Sequence, residues 1–167
     1  MKFPRVIIVM GVAGSGKSTV GAALANACGG KFFDADDFHP AANVAKMAAG
    51  QPLDDADRAP WLATLRREVI DAAPPGSVTV LACSALKKSY RDQLGVGSDR
   101  VALVYLEGDR ETLTQRLHHR AGHYMKADML ASQLVTLEPP SDEEGLTLSI
   151  DAPVDEIVRA IRSAFGI

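Results

Sequence analysis

Residues 11–18 read Gly11-Val12-Ala13-Gly14-Ser15-Gly16-Lys17-Ser18, which matches every position of the phosphate-binding pattern G-x-x-x-x-G-K-[ST]. The apolar run 6–10 precedes this octapeptide, and a helical pattern that opens with Thr19 follows it. Glycines allow the backbone to curl so that successive N–H groups point at a phosphate, and the helix N-terminus adds its positive dipole. The pattern therefore predicts a loop that binds a nucleoside triphosphate. In such a loop Lys17 reaches the β- and γ-phosphates, and the Ser18 hydroxyl ligates Mg²⁺.

Composition and charge limit the partners that we expect. The chain has 167 residues and a formal net charge of −3, which fits a single domain over 1–167 and gives no basic footprint for nucleic acid. No apolar run approaches the ~20 residues that span a bilayer, so we expect neither a nucleic-acid nor a membrane partner. Cys28 and Cys83 lie in apolar surroundings, which is typical of reduced thiols in a cytosolic protein. We predict a cytoplasmic protein without a signal peptide.

Apolar runs alternate with helical patterns along the chain. Such runs are typical of strands buried on both faces, as in a parallel sheet that helices cover on each side. We predict strands over 5–10, 31–34, 78–83, 101–107 and 146–150. We predict helices over 17–28, 41–49, 57–72, 87–95, 110–120, 126–137 and 153–165. The fold class is α/β, a three-layer α/β/α sandwich with a five-stranded parallel sheet, in which ligands lie beyond the carboxyl ends of the strands.

Two aspartates lie at the end of the second predicted strand and just after it. Asp34 and Asp36 are two positions apart, so in an extended segment they point to the same side of a cleft. Phosphoryl transfer to an alcohol needs support for Mg²⁺ and a group that receives the hydroxyl proton. We assign Asp34 to the magnesium shell, through water, and Asp36 to the base. The alternative is a solvated acidic turn, and we leave Asp37 unassigned.

A cationic segment with a glycine in its middle spans about 116–128. It is predicted to be a lid that closes over the phosphates, excludes water and neutralises charge during transfer. Arg116 and Arg120 are one helical turn apart and are predicted to face the triphosphate together. The alternative is an ordinary helix end at which the dipole favours cations. We discount zinc at the histidines of this segment, because adjacent histidines point in different directions and have no acidic or thiol partner nearby in sequence.

Longer blocks of sequence resemble gluconate kinases, and the resemblance covers essentially the whole chain. The blocks are DADDFHP at 34–40, GQPLDD at 50–55, DRAPWL at 57–62, CSALKKSYRD at 83–92 and RAGHYM at 120–125. The resemblance implies a P-loop kinase fold with a lid segment, similar to nucleoside-monophosphate kinases. It implies transfer of the γ-phosphoryl group of ATP to the 6-hydroxyl of D-gluconate, giving 6-phospho-D-gluconate and ADP. ATP and Mg²⁺ would be the cofactors, and the resemblance favours a homodimer.

The same resemblance directs attention to an acceptor pocket in a substrate-binding insertion over about 35–75 and in the turn after the third strand. An open-chain sugar acid has one carboxylate and several hydroxyls, so its pocket needs a cationic clamp and hydrogen-bonding partners. The candidate cations are Arg58, Lys87 and Arg91, and the candidates for the hydroxyls are His39 and Ser84. We favour Arg58 for the carboxylate and leave the choice among the cations open. The alternative for Arg58 is an ion pair with Asp54, Asp55 or Asp57.

Other interpretations stay open at this point. Shikimate kinase resembles this chain in its phosphate loop and paired aspartates, but it is expected to have a glycine-rich turn where this chain has Cys83-Ser84-Ala85. A nucleotide-dependent switch without turnover needs an aspartate on the third strand, and the run 78–83 has none. We interpret Trp61 as core packing rather than a platform for a sugar. Adenine is expected against the lid-bearing helix and the turn near 151–153.

Overall fold

The structure, a computed structural model, describes residues 3–119 and 124–167. A parallel sheet of five strands forms its framework, in the order β2-β3-β1-β4-β5. The strands are β1 (Val6–Met10), β2 (Lys31–Asp34), β3 (Thr79–Ala82), β4 (Val101–Glu107) and β5 (Leu146–Ser149). Val6 pairs with Thr79 on one side and with Val101 on the other, so β1 is the central strand. The five predicted strands are confirmed, with ends that differ by at most one residue.

Helices connect the strands in the described part of the chain. They are α1 (Lys17–Cys28), α2 (Ala41–Ala48), α3 (Asp55–Leu65), α4 (Lys88–Gln93), α5 (Arg110–His118), α6 (Tyr124–Thr136) and α7 (Val154–Phe165). A 3₁₀ turn (Ala35–Phe38) follows β2, and a π-helical turn (Arg66–Ile70) continues α3. All seven predicted helices are present. None of the helices in the described ranges is long and apolar enough to cross a membrane.

The predicted helix over 57–72 was wrong at both ends. The Asp54 carboxylate accepts from the N–H of Asp57 (2.7 Å), and the Asp57 carboxylate accepts from the N–H of Asp54 (3.0 Å). This reciprocal capping box starts the helix at Asp55, two residues early. At the other end the α-helical hydrogen bonds give way to the π-helical turn after Leu65.

Both faces of the sheet are covered by helices. Consecutive residues of β1 point to opposite faces, so Ile8 packs with Trp61 and Leu65 of α3, whereas Ile7 packs with Leu24 of α1 and with α7. Trp61 is 3% exposed, and its indole N–H donates to the carbonyl of Ala35 (2.7 Å). The three-layer sandwich and the packing role of Trp61 are both confirmed.

The parallel arrangement brings three loops to one edge of the sheet. Residues 11–18 follow β1, residues 35–39 follow β2 and residues 83–87 follow β3. Because β3 lies between β1 and β2, these loops are neighbours at the carboxyl ends of the strands, where open α/β sheets bind their ligands. The candidate site lies at this edge.

Candidate active site

The loop at residues 11–18, called the phosphate cradle below, curls tightly between β1 and α1. Gly14 (φ +83°) and Gly16 (φ +88°) adopt left-handed conformations, which residues with a Cβ rarely tolerate. The Lys17 ammonium donates to the carbonyl of Val12 (3.2 Å), so the lysine lies along the loop. The helix α1 begins at Lys17, and its first N–H groups have no partner inside the helix. This geometry suits a phosphate group.

Ser18 and Asp34 meet between the cradle and the end of β2. The Ser18 hydroxyl donates to Asp34 Oδ2 (2.9 Å), and Asp34 Oδ1 accepts from the N–H of Asp36 (3.0 Å). A hydroxyl and a carboxylate are hard oxygen ligands of the kind that Mg²⁺ prefers. The described residues contain no group of three or more His, Cys, Asp or Glu side chains that could hold a metal. Ser18 and Asp34 are thus the described residues that would hold Mg²⁺ at this position.

Asp36 lies beside this pair and faces the open cleft, with a side chain that is 84% exposed. Its pKa is raised, because the walls of the cleft remove part of its water and because the carboxylates of Asp34 and Asp37 repel its negative charge. The nearby Lys17 ammonium opposes this effect. Since the side chain is exposed, water screens these interactions. A carboxylate with a raised pKa accepts a proton more readily than an ordinary one.

His39 connects Asp36 with the buried core. Its side chain is 4% exposed, and Nε2 lies 3.9 Å from Asp36 Oδ1. The ring stacks on Trp61 with centroids 4.3 Å apart, and Nδ1 accepts from the Asn43 amide (3.2 Å). Burial and, to a lesser degree, the positive charge of Arg58 lower the pKa of His39. The lowered pKa favours the neutral imidazole at pH 7, and because Nδ1 accepts from Asn43, Nε2 carries the proton on the side of Asp36.

Beyond His39 a polar cluster joins α3 to the start of α4. Lys87 Nζ donates to both carboxylate oxygens of Asp55 (3.0 and 3.3 Å), and the Tyr90 hydroxyl also donates to Asp55. Arg58 Nη1 donates to the Tyr90 oxygen (3.2 Å), and the cations of Arg58 and Lys87 each lie 5.5 Å from the centroid of the Tyr90 ring. The hydrogen bonds from Tyr90 and Lys87 lower the pKa of Asp55. Two predicted acceptor residues, Arg58 and Lys87, thus lie together.

The alternative for Arg58, an ion pair with an aspartate of α3, is not seen. Among the described residues, the ion pairs within 4.0 Å that involve Asp55 and Asp57 use Lys87 and Lys46. The contact between Asp55 and Tyr90 was not predicted, because it joins positions 35 apart in the sequence. A tyrosine that follows a lysine-rich turn was the only available signal.

The structure contradicts the predicted role of Arg91 in binding the acceptor substrate. It is 1% exposed, and its Nε donates to both carboxylate oxygens of Glu144 (2.7 and 3.1 Å). Nη1 donates to the carbonyls of Ala85 (2.9 Å) and Leu86 (3.1 Å), and Nη2 donates to that of Glu138 (3.0 Å). The predicted contact with substrate was wrong, because this guanidinium is consumed by protein acceptors.

Arg91 instead holds the turn after β3. Ala85 in that turn has φ +44°, a strained value for a residue with a Cβ. The hydrogen bond from Arg91 to its carbonyl fixes this conformation. Ser84, predicted to contact a hydroxyl, precedes Ala85 and is half-buried at the carboxyl end of β3.

A cleft of about 350 Å³ opens next to the phosphate cradle. Its walls include Gly14, Ser15, Gly16, Thr19, Arg116, Ile150 and Ala152. Arg116 Nη2 donates to the carbonyl of Ile150 (2.6 Å). This hydrogen bond joins α5 to the turn after β5, where adenine was expected. Arg120, the predicted partner of Arg116, lies outside the described residues.

Gln133 is a site residue that sequence reasoning missed. Its Oε1 accepts from the N–H of Ala13 in the phosphate loop (2.6 Å), across 120 positions of sequence. The helix α6 therefore contacts the loop directly. The sequence assigned Gln133 no role, because nothing local links a helix position to a loop 120 positions away.

Comparisons with known proteins agree with this geometry. A family model described as an AAA domain matches residues 6–140. The gluconokinase of Gluconobacter oxydans (strain 621H) is 48% identical over 141 residues, which are 84% of this chain and 79% of that protein. The crystal structure of a gluconokinase from Sinorhizobium meliloti 1021 has 43% identity and a TM-score of 0.86, and the match covers 99% of this chain and 94% of that one.

The parallel sheet, the phosphate cradle and the carboxylates beside it define a P-loop kinase. A shikimate kinase from Bacteroides thetaiotaomicron has the same fold, with a TM-score of 0.71 at 16% identity over 97% of this chain and 98% of that one, and this likeness shows the fold alone. The chain belongs to the gluconokinase family. The shikimate-kinase alternative is not favoured.

Proposed function

We propose that this chain transfers the γ-phosphoryl group of ATP to the 6-hydroxyl of D-gluconate, giving 6-phospho-D-gluconate and ADP. The observation that carries the proposal is the contact between Ser18 and Asp34, which joins the phosphate cradle to the carboxylates that follow β2. On this arrangement we infer that the donor loop lies on one side of Asp36, and that His39, 3.9 Å from Asp36, leads to the cluster of Arg58 and Lys87 on the other.

On the donor side, the backbone of residues 11–18 binds the phosphates, and Lys17 neutralises charge on the β- and γ-phosphates. Arg116, beside Gly16 and Thr19 in the nucleotide cleft, contributes further positive charge. Ser18 and Asp34 would hold Mg²⁺, which would supply positive charge next to the phosphates. Arg120 and the lid segment 116–128 stay predictions from the sequence.

On the acceptor side, Asp36 orients the 6-hydroxyl. As the new bond between the 6-oxygen and the γ-phosphorus forms, Asp36 accepts the hydroxyl proton, and the bond to the oxygen that bridges to the β-phosphate breaks with its electron pair leaving on ADP. His39 and Ser84 bind hydroxyls along the carbon chain of gluconate, and Arg58 together with Lys87 binds its carboxylate. The acceptor segment is residues 35–75 together with the turn after β3.

The cellular setting is part of the same proposal. Cys28 and Cys83 are both free thiols, and burial raises the pKa of Cys83 to about 12, as suits a reducing compartment such as the cytoplasm. We expect a homodimer from the family resemblance, and light scattering during size-exclusion chromatography measures its mass.

The experiment is a coupled assay of ADP release with a panel of acceptors, namely D-gluconate, other aldonic acids, shikimate and nucleoside monophosphates. We expect release that depends on gluconate and a product whose phosphate NMR identifies a 6-phosphate ester. Lys17→Ala is the matched inactive variant and should keep less than about a tenth of the turnover, a loss of ~1.4 kcal/mol or more in the barrier. ADP release that is no faster with gluconate than without it contradicts the proposal.

A further inference from the structure

The Asp55 carboxylate pairs with a cation among the predicted acceptor residues. It accepts from Lys87 Nζ through both oxygens (3.0 and 3.3 Å) and from the Tyr90 hydroxyl. Tyr90 is itself held by Arg58 Nη1 (3.2 Å) and is 4% exposed. Lys87, Tyr90 and Arg58 form what we call the receptor cluster. Lys87 and Tyr90 both donate to one carboxylate, and Arg58 adds positive charge behind Tyr90, which is the arrangement that an acid substrate requires.

The receptor cluster lies at the end of a line of contacts that begins at Asp36. His39 Nε2 is 3.9 Å from Asp36 Oδ1, and Arg58 is close enough to His39 to lower the pKa of the imidazole. An open-chain sugar acid has its primary hydroxyl and its carboxylate at opposite ends. A base at one end of the line and a carboxylate receptor at the other fit that substrate.

Asp55 is free to leave the receptor cluster. It is the first residue of α3, and its side chain is 67% exposed, whereas the capping box that starts the helix uses Asp54 and Asp57. A change of its χ1 rotamer moves the carboxylate into water without breaking a hydrogen bond of the capping box. The Lys87 side chain, which is 31% exposed, stays beside the Tyr90 ring.

We propose that Asp55 is an internal stand-in for the substrate carboxylate, which pairs with Lys87 and Tyr90 in the free enzyme and is displaced when the acid binds. The inference rests on the proposed function and deepens it by naming the carboxylate receptor. It has a direct thermodynamic consequence. Only molecules in which Asp55 has left the receptor cluster can bind the acid. The apparent dissociation constant of the substrate is therefore its intrinsic value divided by the fraction of such molecules.

The opposite role for Asp55 is a fixed partner that orders Lys87 while Arg58 alone takes the carboxylate. The two roles differ in the sign of a mutational effect. If Asp55 competes with the substrate, its removal lowers KM for gluconate; if it orders the pocket, its removal raises KM. An exposed ion pair shifts an equilibrium by about two- to fivefold, which sets the size of the effect.

The test compares wild type with Asp55→Asn and Asp55→Ala. We expect KM for gluconate to fall by about two- to fivefold, with kcat within twofold of wild type. The matched control is Asp92→Asn, which removes the same charge from an exposed pair with Lys88 (2.9 Å), the residue next to Lys87. The inference is overturned if KM for gluconate in the Asp55 variants rises, or if it falls no further than it does in Asp92→Asn.

A second arm isolates the carboxylate. D-Glucitol has the same chain of hydroxyls without the acid, so its inhibition constant against gluconate should be equal in wild type and in Asp55→Ala. A parallel fall in that constant overturns the inference. In wild type, carboxyl NMR should show the pKa of Asp55 rising when gluconate saturates the protein, because its two donors are lost; an unchanged pKa has the same negative meaning. If wild type does not phosphorylate gluconate at all, it is the proposed function that fails, and the inference fails with it.

Discussion

Replacement of Arg91 by methionine tests the reassignment of this residue from substrate binding to architecture. The side chain is 1% exposed, and its guanidinium donates to the Glu144 carboxylate and to three backbone carbonyls. Methionine retains much of the apolar stem but supplies no donor. The variant therefore leaves the Glu144 carboxylate, which is 14% exposed, without its cationic partner.

The expected loss follows from the cost of uncompensated buried charge. Removal of one partner from a buried ion pair typically costs about 3–5 kcal/mol, and a hydrogen bond to a charged group alone contributes about 1.5–3 kcal/mol. We therefore expect the free energy of unfolding to fall by about 3–5 kcal/mol. That is a large part of the roughly 5–15 kcal/mol typical of a domain. At about 2–4 °C per kcal/mol for a chain of this size, Tm should fall by roughly 6–20 °C.

The assay is urea unfolding of wild type, Arg91→Met and a control, Arg159→Met. Arg159 also pairs with a carboxylate, that of Asp155 (3.4 Å), but the two side chains are 71% and 78% exposed. The control should change stability by no more than about 0.5 kcal/mol. If Arg91→Met loses less than about 1 kcal/mol while KM for gluconate rises tenfold or more, Arg91 binds substrate in the acceptor pocket and is not a structural residue.

Three further predictions concern the cleft. Asp36→Asn should lower kcat by roughly 10²-fold while the ATP dissociation constant changes little, because Asp34 rather than Asp36 contacts Ser18; near-normal turnover would remove Asp36 as the base. Gln133→Ala should weaken ATP binding by roughly tenfold through loss of one short hydrogen bond to the phosphate loop, and calorimetry that finds unchanged affinity contradicts this. Burial and then Arg58 lower the pKa of His39, so below its ordinary value of 6.5 the unfolded chain binds more protons than the folded one and stability falls as the pH falls. The urea concentration at the midpoint of unfolding should decrease from pH 7.5 to pH 5.5 in wild type and should decrease less in His39→Gln. Equal decreases in the two proteins would contradict this prediction for His39.

Most of the fold could be predicted from the sequence, because a buried parallel strand is a continuous apolar run. Val6–Met10 is fully buried, and its two faces enter different cores, so nothing interrupts its apolar pattern. The start of α3 was harder to predict. Its signal is the pair Asp54 and Asp57, in which aspartate takes the place that glutamate or glutamine has in the usual capping box.

The candidate site divides in the same way between local and distant contacts. Residues 11–18 could be recognised as a phosphate-binding pattern because its positions are adjacent in sequence. The extended segment expected through Asp34 and Asp36 was wrong, since a 3₁₀ turn begins at Ala35, and the roles of the two aspartates stay predictions. Arg91 could not be assigned, since Glu144, which consumes its guanidinium, lies 53 positions away. Sequence shows that a residue is cationic but not whether the fold has already supplied its anion. The same limit hid the contact of Asp55 with Tyr90.

The end of α6 explains how the two halves of the cleft keep their spacing. Gln133 binds the N–H of Ala13 in the donor loop (2.6 Å), while the N–H of Glu138 donates to the carbonyl of Leu86 in the acceptor turn (2.8 Å). The Glu138 side chain also accepts from the N–H of Lys88 (3.0 Å). Donor loop and acceptor turn are thus fastened to one helix and its first following residues, only five positions apart. Phosphoryl transfer depends chiefly on holding donor and acceptor oxygens in line, so we expect this link between the two loops to help hold that alignment without touching the transferred group.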